Sequence, residues 1–164
     1  MNNVLSSILV AYFSATGTTA NVAKNLATVI NAPVYEIKVA QPYTNTDLDW
    51  QDENSRSSLE MEGKVPYPEL ADLNVPVKDY DIIFLGFPIW WGTAPKIINK
   101  FVQSYDLSGK KIVLFATSGG SGLGYTATDL RKDAKGNPEI INGRVLNGNP
   151  SVEELKVFVN SLNL

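Results

Sequence analysis

The sequence predicts an α/β protein: a three-layer, doubly wound sandwich in which helices cover both faces of a five-stranded parallel sheet. Most of the predicted strands are continuous runs of apolar, largely β-branched residues, as strands buried on both faces require. Predicted helices alternate with these runs along nearly the whole chain, and this alternation is typical of parallel sheets. The chain of 164 residues is therefore predicted to form a single domain, residues 1–164.

The first half of the chain predicts two strands and two helices. Residues 4–13 are apolar and predict the first strand, since the run is too short to cross a membrane and has no positive segment before it. Residues 18–30 predict a helix with one apolar face. Residues 34–39 alternate between apolar and polar side chains, which predicts an edge strand. Residues 41–78 are irregular and contain four prolines, with a helix predicted from about 48 to 62.

The second half of the chain continues the alternation. Continuous or nearly continuous apolar runs predict three further strands, over residues 81–86, 111–117 and 140–146. Three helices are predicted over residues 94–105, 125–132 and 151–162. Pro95 is predicted in the first turn of its helix, where a missing N–H group costs nothing. The last helix begins with Ser-Val-Glu-Glu, which is the pattern of a capping box.

The composition excludes several classes of function. The chain contains no cysteine and no histidine, which excludes disulfides, thiolate chemistry, Ser-His-Asp triads and histidine-based zinc sites. Its net charge is −3 and its basic residues do not cluster, so no nucleic-acid partner is expected. No membrane association is predicted either, and the expected location is the cytoplasm.

A loop rich in hydroxyl groups follows the first predicted strand and leads into the first helix. The loop contains no Lys or Arg, and the free N–H groups of a helix N-terminus favour an anion. A Walker sequence is absent, so the pattern predicts a phosphate that is bound but not transferred. The alternative is that the loop only caps the helix. The candidate residues are Ser14, Ala15, Thr16, Gly17, Thr18 and Thr19.

Two adjacent tryptophans follow the strand predicted at residues 81–86. They lie between Pro and Gly residues and offer a flat apolar surface to a planar aromatic ligand. The alternative is that one or both belong to the core below the loop. The candidate residues are Pro88, Ile89, Trp90, Trp91 and Gly92.

A glycine-rich loop follows the strand predicted at residues 111–117. Its four glycines let the backbone wrap closely around a ligand, although their spacing is not that of a dinucleotide fingerprint. The alternative is a flexible loop without a ligand. The candidate residues are Thr117, Ser118, Gly119, Gly120 and Gly124. Because the carboxyl ends of parallel strands meet at one edge of the sheet, the three loops are predicted to form one site.

Together, the three loops resemble those of the flavodoxin family. The hydroxyl-rich loop has the [ST]-x-T-G-x-T form with which flavodoxins hold the phosphate of FMN, and the other two loops strengthen the resemblance. The resemblance implies the strand order 2-1-3-4-5, with the flavin ring flanked by the tryptophan loop and the glycine loop. Residues 47–58 resemble a segment of one bacterial branch of the family, and their chemistry assigns them no role.

The resemblance implies an FMN-binding electron-transfer protein that exchanges electrons with redox partner proteins. Stacking on Trp90 or Trp91 and the buried phosphate would disfavour the anionic reduced flavin, so a low-potential carrier is expected. One alternative is an FMN-dependent NAD(P)H:quinone oxidoreductase of the same fold, acting on small quinones. A second alternative is a regulatory module that binds a nucleotide or phosphate ester without redox chemistry. Two departures from the family bear on the carrier role: the net charge is only −3, and the glycine loop lacks a stacking aromatic, with Tyr125 lying just beyond it.

The resemblance also places Trp91 and Gly92 where related flavodoxins have a peptide bond that flips beside the flavin. A glycine suits such a flip because it tolerates positive φ angles. The alternative is that Gly92 only lets the chain turn into the next helix.

Overall fold

The computed structural model describes residues 7–118, 122–147 and 149–164. Five parallel strands form one sheet in the order β2-β1-β3-β4-β5, which confirms the implied order. The strands are β1 (Ile8–Tyr12), β2 (Val34–Glu36), β3 (Ile82–Pro88), β4 (Lys111–Thr117) and β5 (Glu139–Val145). That the chain forms a single domain over residues 1–164 stays a prediction.

Helices cover both faces of the sheet, as the fold class requires. They are α1 (Thr18–Ile30), α2 (Arg56–Met61), α3 (Lys96–Ser104), α4 (Thr126–Asp133) and α5 (Val152–Ser161), with a short 3₁₀ turn at Val77–Asp79. Helices α1 and α5 pack on one face of the sheet, while α3 and α4 pack on the other. None of the helices in the described part of the chain has the length and apolar character needed to cross a membrane.

The apolar runs of the central strands are explained by this double coverage. In β3, Ile83 and Leu85 belong to the core cluster beneath α3 and α4, whereas Ile82 and Phe84 belong to the cluster beneath α1 and α5. Successive side chains of a strand point to opposite faces, so a strand covered on both faces has no polar positions. The predicted three-layer α/β sandwich is confirmed.

The largest differences in strand boundaries are at the start of β1 and the end of β2, whereas the boundaries of β3 and β5 are shifted by one or two residues from their predictions. The predicted first strand began at residue 4; β1 begins at Ile8, and residues 4–6 lie outside the described residues. Strand β2 was predicted to reach residue 39, and it ends at Glu36. The chain turns away there because residues 38–40 pair instead with residues 69–71, through an antiparallel bridge between Val39 and Leu70. No local pattern specifies this pairing between distant segments.

The predicted helix over residues 48–62 was wrong for most of its length, because α2 covers only Arg56–Met61. Before it, aspartate side chains accept hydrogen bonds from nearby backbone N–H groups: Asp49 from Gln51 at 3.1 Å and Asp52 from Asn54 at 2.9 Å. Such local bonds compete with helical hydrogen bonds and favour turns. The helix begins only where Ser55 caps it.

The remaining helices lie close to their predictions. Pro95 is the N-cap of α3 rather than part of its first turn, and α4 is shifted by one residue from the predicted 125–132. The capping box of α5 is confirmed: Ser151 and Glu154 each accept a hydrogen bond from the other's backbone N–H group.

Candidate functional site

The hydroxyl-rich loop connects β1 to the N-terminus of α1. Gly17 is the N-cap residue of this helix, with a φ angle of 97° that other residues rarely adopt. The Ser14 Oγ accepts a hydrogen bond from the Gly17 N–H group at 3.0 Å. Ser14 therefore fixes the loop, and it does not cap the first turn of the helix.

The first turn of α1 leaves strong donors exposed to a ligand. Among the described residues, the backbone N–H groups of Thr18, Thr19 and Ala20 have no acceptor, and the turn contains no acidic side chain. Since the helix dipole places partial positive charge at this end, an anion would satisfy these groups. The capping alternative is not favoured by this arrangement, whereas a bound phosphate fits it.

The same donors open into a cavity of about 380 Å³ at the carboxyl end of the sheet. The cavity brings together the hydroxyl-rich loop and the starts of the other two loops. The hydroxyl-rich loop and the glycine loop are joined by a hydrogen bond of 2.8 Å between the Oγ1 atoms of Thr19 and Thr117, which are both buried. The cavity is lined by Ala15, Thr16, Thr18, Thr19, Pro88, Thr117, Ser118 and Asn147.

Asn147 is a site residue that the sequence analysis missed. Its Oδ1 accepts a hydrogen bond from the Ser118 N–H group at 2.8 Å, so it holds the start of the glycine loop. Its place just after β5 was the available indication, because all five strands end at this edge of the sheet.

The tryptophan loop forms a tight turn at the end of β3. The N–H group of Trp90 donates to the Thr93 carbonyl at 2.8 Å, and the Thr93 N–H group donates back at 3.1 Å. The two residues between them have positive φ angles, 50° at Trp91 and 78° at Gly92. A type I′ turn requires positive φ at both central positions. Gly92 meets this requirement without strain, but Trp91 does not.

The two tryptophans have different surroundings. Trp90 is partly buried and packs edge-to-face against Phe13 and Tyr43, with ring centroids 6.0 and 5.3 Å away. Trp91 lies at the tip of the turn with 44% of its surface exposed. Trp90 therefore belongs partly to the core, as the alternative interpretation had it, whereas Trp91 offers an open aromatic surface. Ile89 is also partly buried against the core.

The exposed indole borders a second cavity, of about 400 Å³. Tyr125, which follows the glycine loop, also lines this cavity, with 64% of its surface exposed, so the structure brings it to the same cavity as Trp91. The Lys96 Nζ lies 3.5 Å from the Asp129 Oδ2, and this ion pair also lines the cavity.

The glycine loop approaches the tryptophan loop closely at one described position. A Cβ atom at Gly124, where φ is 56°, would lie 2.9 Å from the Gly92 carbonyl oxygen. Glycine is therefore required there by both space and backbone conformation. Gly119 and Gly120 lie outside the described residues, so their role in the site stays a prediction.

Comparison with known proteins agrees with this geometry. The flavodoxin family model matches residues 7–162. A search of curated proteins finds no match. A candidate flavoprotein from Bacteroides eggerthii DSM 20697 is 42% identical with a TM-score of 0.90, covering 98% of this chain and 99% of that one. A second, from Bacteroides uniformis ATCC 8492, is 44% identical with a TM-score of 0.87, covering 94% and 98%.

A more distant similarity is to a flavoprotein from Lactobacillus acidophilus NCFM, whose structure is a complex with FMN. It is 22% identical with a TM-score of 0.69, and the match covers 93% of this chain and 99% of that one. This likeness concerns the fold. Because the family match spans nearly the whole sequence, the chain belongs to the flavodoxin family.

Proposed function

We propose that this protein binds FMN non-covalently and serves as a low-potential electron carrier between redox partner proteins. The observation that carries the proposal is the anion site at the N-terminus of α1, where the N–H groups of Thr18, Thr19 and Ala20 have no acceptor among the described residues. Family membership supports FMN as the ligand, and so does the FMN complex of the Lactobacillus flavoprotein.

Different parts of the site would hold the phosphate and the ring. The free N–H groups of α1 and the exposed hydroxyls of Thr16 and Thr18 are suited to the phosphate, since hydrogen bonds to a charged group are stronger than those between neutral groups. Trp91 and Tyr125 border a cavity suited to a planar ring. When bound, FMN supplies the redox chemistry.

The chain's own residues favour a low potential. The phosphate cavity is lined by neutral side chains, so backbone dipoles and hydroxyls, rather than a Lys or Arg, face the phosphate. A negative charge that is not neutralised by a cation disfavours adding further negative charge nearby.

The test compares FMN with riboflavin, which has the same ring and no phosphate. Hydrogen bonds to a charged group are worth roughly 1.5–3 kcal/mol, so Thr16→Ala should weaken FMN binding about tenfold or more. Riboflavin binding should scarcely change. The measurement is the quenching of flavin and tryptophan fluorescence during titration of the apoprotein.

Thr28→Ala is the matched control, because Thr28 is an exposed threonine of α1 whose hydroxyl donates to the Lys24 carbonyl, away from the cavity. It should leave both affinities unchanged. If the wild type does not bind FMN, or if Thr16→Ala weakens the two ligands equally, the proposed phosphate site is wrong.

A second candidate function is an FMN-dependent NAD(P)H:quinone oxidoreductase, which needs space for another planar ligand near the ring. The observation that favours it is the exposure of Trp91 and Tyr125, which leaves this edge of the proposed ring site open to a second ligand. Anaerobic mixing of the FMN-loaded protein with NADH or NADPH and a quinone separates the two functions. Rapid turnover would favour the oxidoreductase, whereas no turnover favours the carrier. The cytoplasmic location stays a prediction, which cell fractionation tests.

A further inference from the structure

Helix α2 contains a nearly buried ion pair between Arg56, which belongs to the segment 47–58 that has no role assigned from its sequence, and Glu60. The Arg56 Nε donates to the Glu60 Oε2 at 2.9 Å, and the Glu60 side chain is only 4% exposed. A carboxylate is costly to bury unless a cation and hydrogen bonds compensate it. The burial of Glu60 is therefore compensated by its ion pair with Arg56. The rest of this segment consists mainly of exposed turns.

Both members of the ion pair also hold Tyr43. The Tyr43 hydroxyl donates to the Glu60 Oε1 at 2.5 Å, and the guanidinium carbon of Arg56 lies 3.9 Å from the centre of the tyrosine ring. Burial and the neighbouring Glu60 raise the pKa of Tyr43, so the phenol stays protonated and keeps donating. The Arg56 Nη1 is itself fixed by the Gln41 carbonyl at 2.7 Å.

Tyr43 in turn contacts the tryptophan loop. Its ring packs edge-to-face against Trp90, 5.3 Å between centroids at 88°, and against Phe13 at 5.9 Å. Phe13 directly precedes the hydroxyl-rich loop, and Trp90 begins the turn that carries Trp91. The three rings therefore join two of the three loops of the proposed FMN site, the hydroxyl-rich loop and the tryptophan loop, to α2.

We propose that Tyr43, Arg56 and Glu60, here called the clamp, position Trp90 and thereby the turn that presents Trp91 to the flavin ring. This inference rests on the proposed function. The three clamp residues are positioning residues, because they act through Trp90. A backbone held in a strained conformation persists only when its surroundings fix it, and the clamp holds the base of the turn whose tip is strained at Trp91.

The test uses two clamp variants and one control. Arg56→Met removes the cation and its hydrogen bonds but keeps an apolar side chain. Tyr43→Phe removes only the hydroxyl bond to Glu60 and keeps the ring, so it is the milder change if Arg56→Met fails to fold. Glu69→Gln is the control, because it breaks a largely exposed ion pair with Lys100, 3.4 Å long, in the same segment, and Glu69 lines neither cavity of the site.

Three measurements are made at a temperature where the variants are folded: the affinities for FMN and riboflavin, the midpoint potential of bound FMN, and the near-ultraviolet circular dichroism of the apoprotein. Both clamp variants should change the tryptophan dichroism and shift the potential. Arg56→Met should weaken FMN and riboflavin by the same factor, about tenfold, since the ring they share would lose one well-placed aromatic contact. Tyr43→Phe should weaken both ligands less, and Glu69→Gln should change none of the three measured properties.

The outcomes distinguish this inference from the proposed function. If the wild type binds FMN but the clamp variants lower only thermal stability, with unchanged potential and dichroism, the positioning role is wrong and the proposed function stands. If Arg56→Met weakens FMN much more than riboflavin, the clamp acts on the phosphate site, and the inference is also overturned. If the wild type binds neither ligand, the proposed function fails and the positioning role fails with it.

Discussion

Trp91 stands apart from the other residues with left-handed backbones. The described non-glycine residues with positive φ are Asn31, Asn137, Asn163 and Trp91. Asparagine tolerates this region because its short polar side chain bonds locally, whereas a bulky aromatic residue is strained there. Strained backbones of this kind are concentrated at functional sites. Because the Trp91 indole is exposed, its packing does not compensate the strain, and a role in ligand binding explains its position better.

We predict that Trp91→Asn separates stability from binding. Asparagine relieves the backbone strain, so the free energy of unfolding of the apoprotein should rise by about 1 kcal/mol. Loss of the indole should weaken FMN and riboflavin alike, because both carry the same ring. Urea unfolding of the apoprotein and fluorescence titration are the measurements. A less stable apoprotein would instead mean that Trp91 contributes to packing.

At the scale of elements, the contact between β3 and β4 depends on one glycine. Gly86 lies opposite Phe115 in the register of the two strands. A Cβ atom at residue 86 would lie 2.3 Å from the Phe115 ring, which is fully buried beneath α1 and α5. The large ring occupies the space that the missing side chain leaves, so the two positions are coupled.

We predict that Gly86→Ala lowers the free energy of unfolding by about 1–3 kcal/mol, because the ring cannot move away within a packed core. Phe115→Leu should also destabilise the protein by removing buried surface. The double variant should lose less than the sum of the two, since the smaller leucine makes room for the added methyl group. Urea unfolding of all four proteins measures this coupling, and simple additivity would contradict it.

At the scale of the whole molecule, hydrogen bonds between side chains join the irregular segment, residues 41–78, to the helical layer. The Tyr67 hydroxyl donates to the Asp133 Oδ2 at 2.8 Å, at the end of α4. The same oxygen accepts from the Asn99 Nδ2 of α3 at 2.9 Å. Asn99 is fully buried, and its Oδ1 is the buried side-chain oxygen without a partner among the described residues. The segment is thus attached both here and at the clamp.

This attachment predicts a pH dependence of stability. Burial, the bond to Asp133 and the charge of that carboxylate raise the pKa of Tyr67 from 10.0 to about 12. A phenol whose pKa is higher in the folded state stabilises that state fully below its unfolded pKa, and the contribution is lost as pH rises through the folded value. Tyr67→Phe should therefore be less stable than the wild type below pH 10, and this difference should shrink between pH 10 and about pH 12.

Urea unfolding at several pH values measures the difference, with Tyr35→Phe on the edge strand β2 as a control for removing a tyrosine. A difference that stays constant across this pH range would show that the Tyr67 bond to Asp133 does not contribute to stability.

The sequence by itself predicted the elements whose patterns are local. The apolar runs of the central strands, the amphipathic helix α1 and the capping box of α5 depend on residues near one another in the chain. The hydroxyl-rich loop was predicted as an anion site for the same reason, because a helix N-terminus offers its free N–H groups whatever packs around it. The family resemblance added the strand order and the ligand.

Only the tertiary structure decided how these parts meet. It ended β2 early through the bridge between Val39 and Leu70. It assigned different surroundings to two adjacent tryptophans, and it placed the clamp against one of them. Each of these features depends on contacts between residues far apart in the chain. Local propensity and periodicity carry no information about such contacts, because the free energy of a long-range contact is gained only when the distant segments pack together.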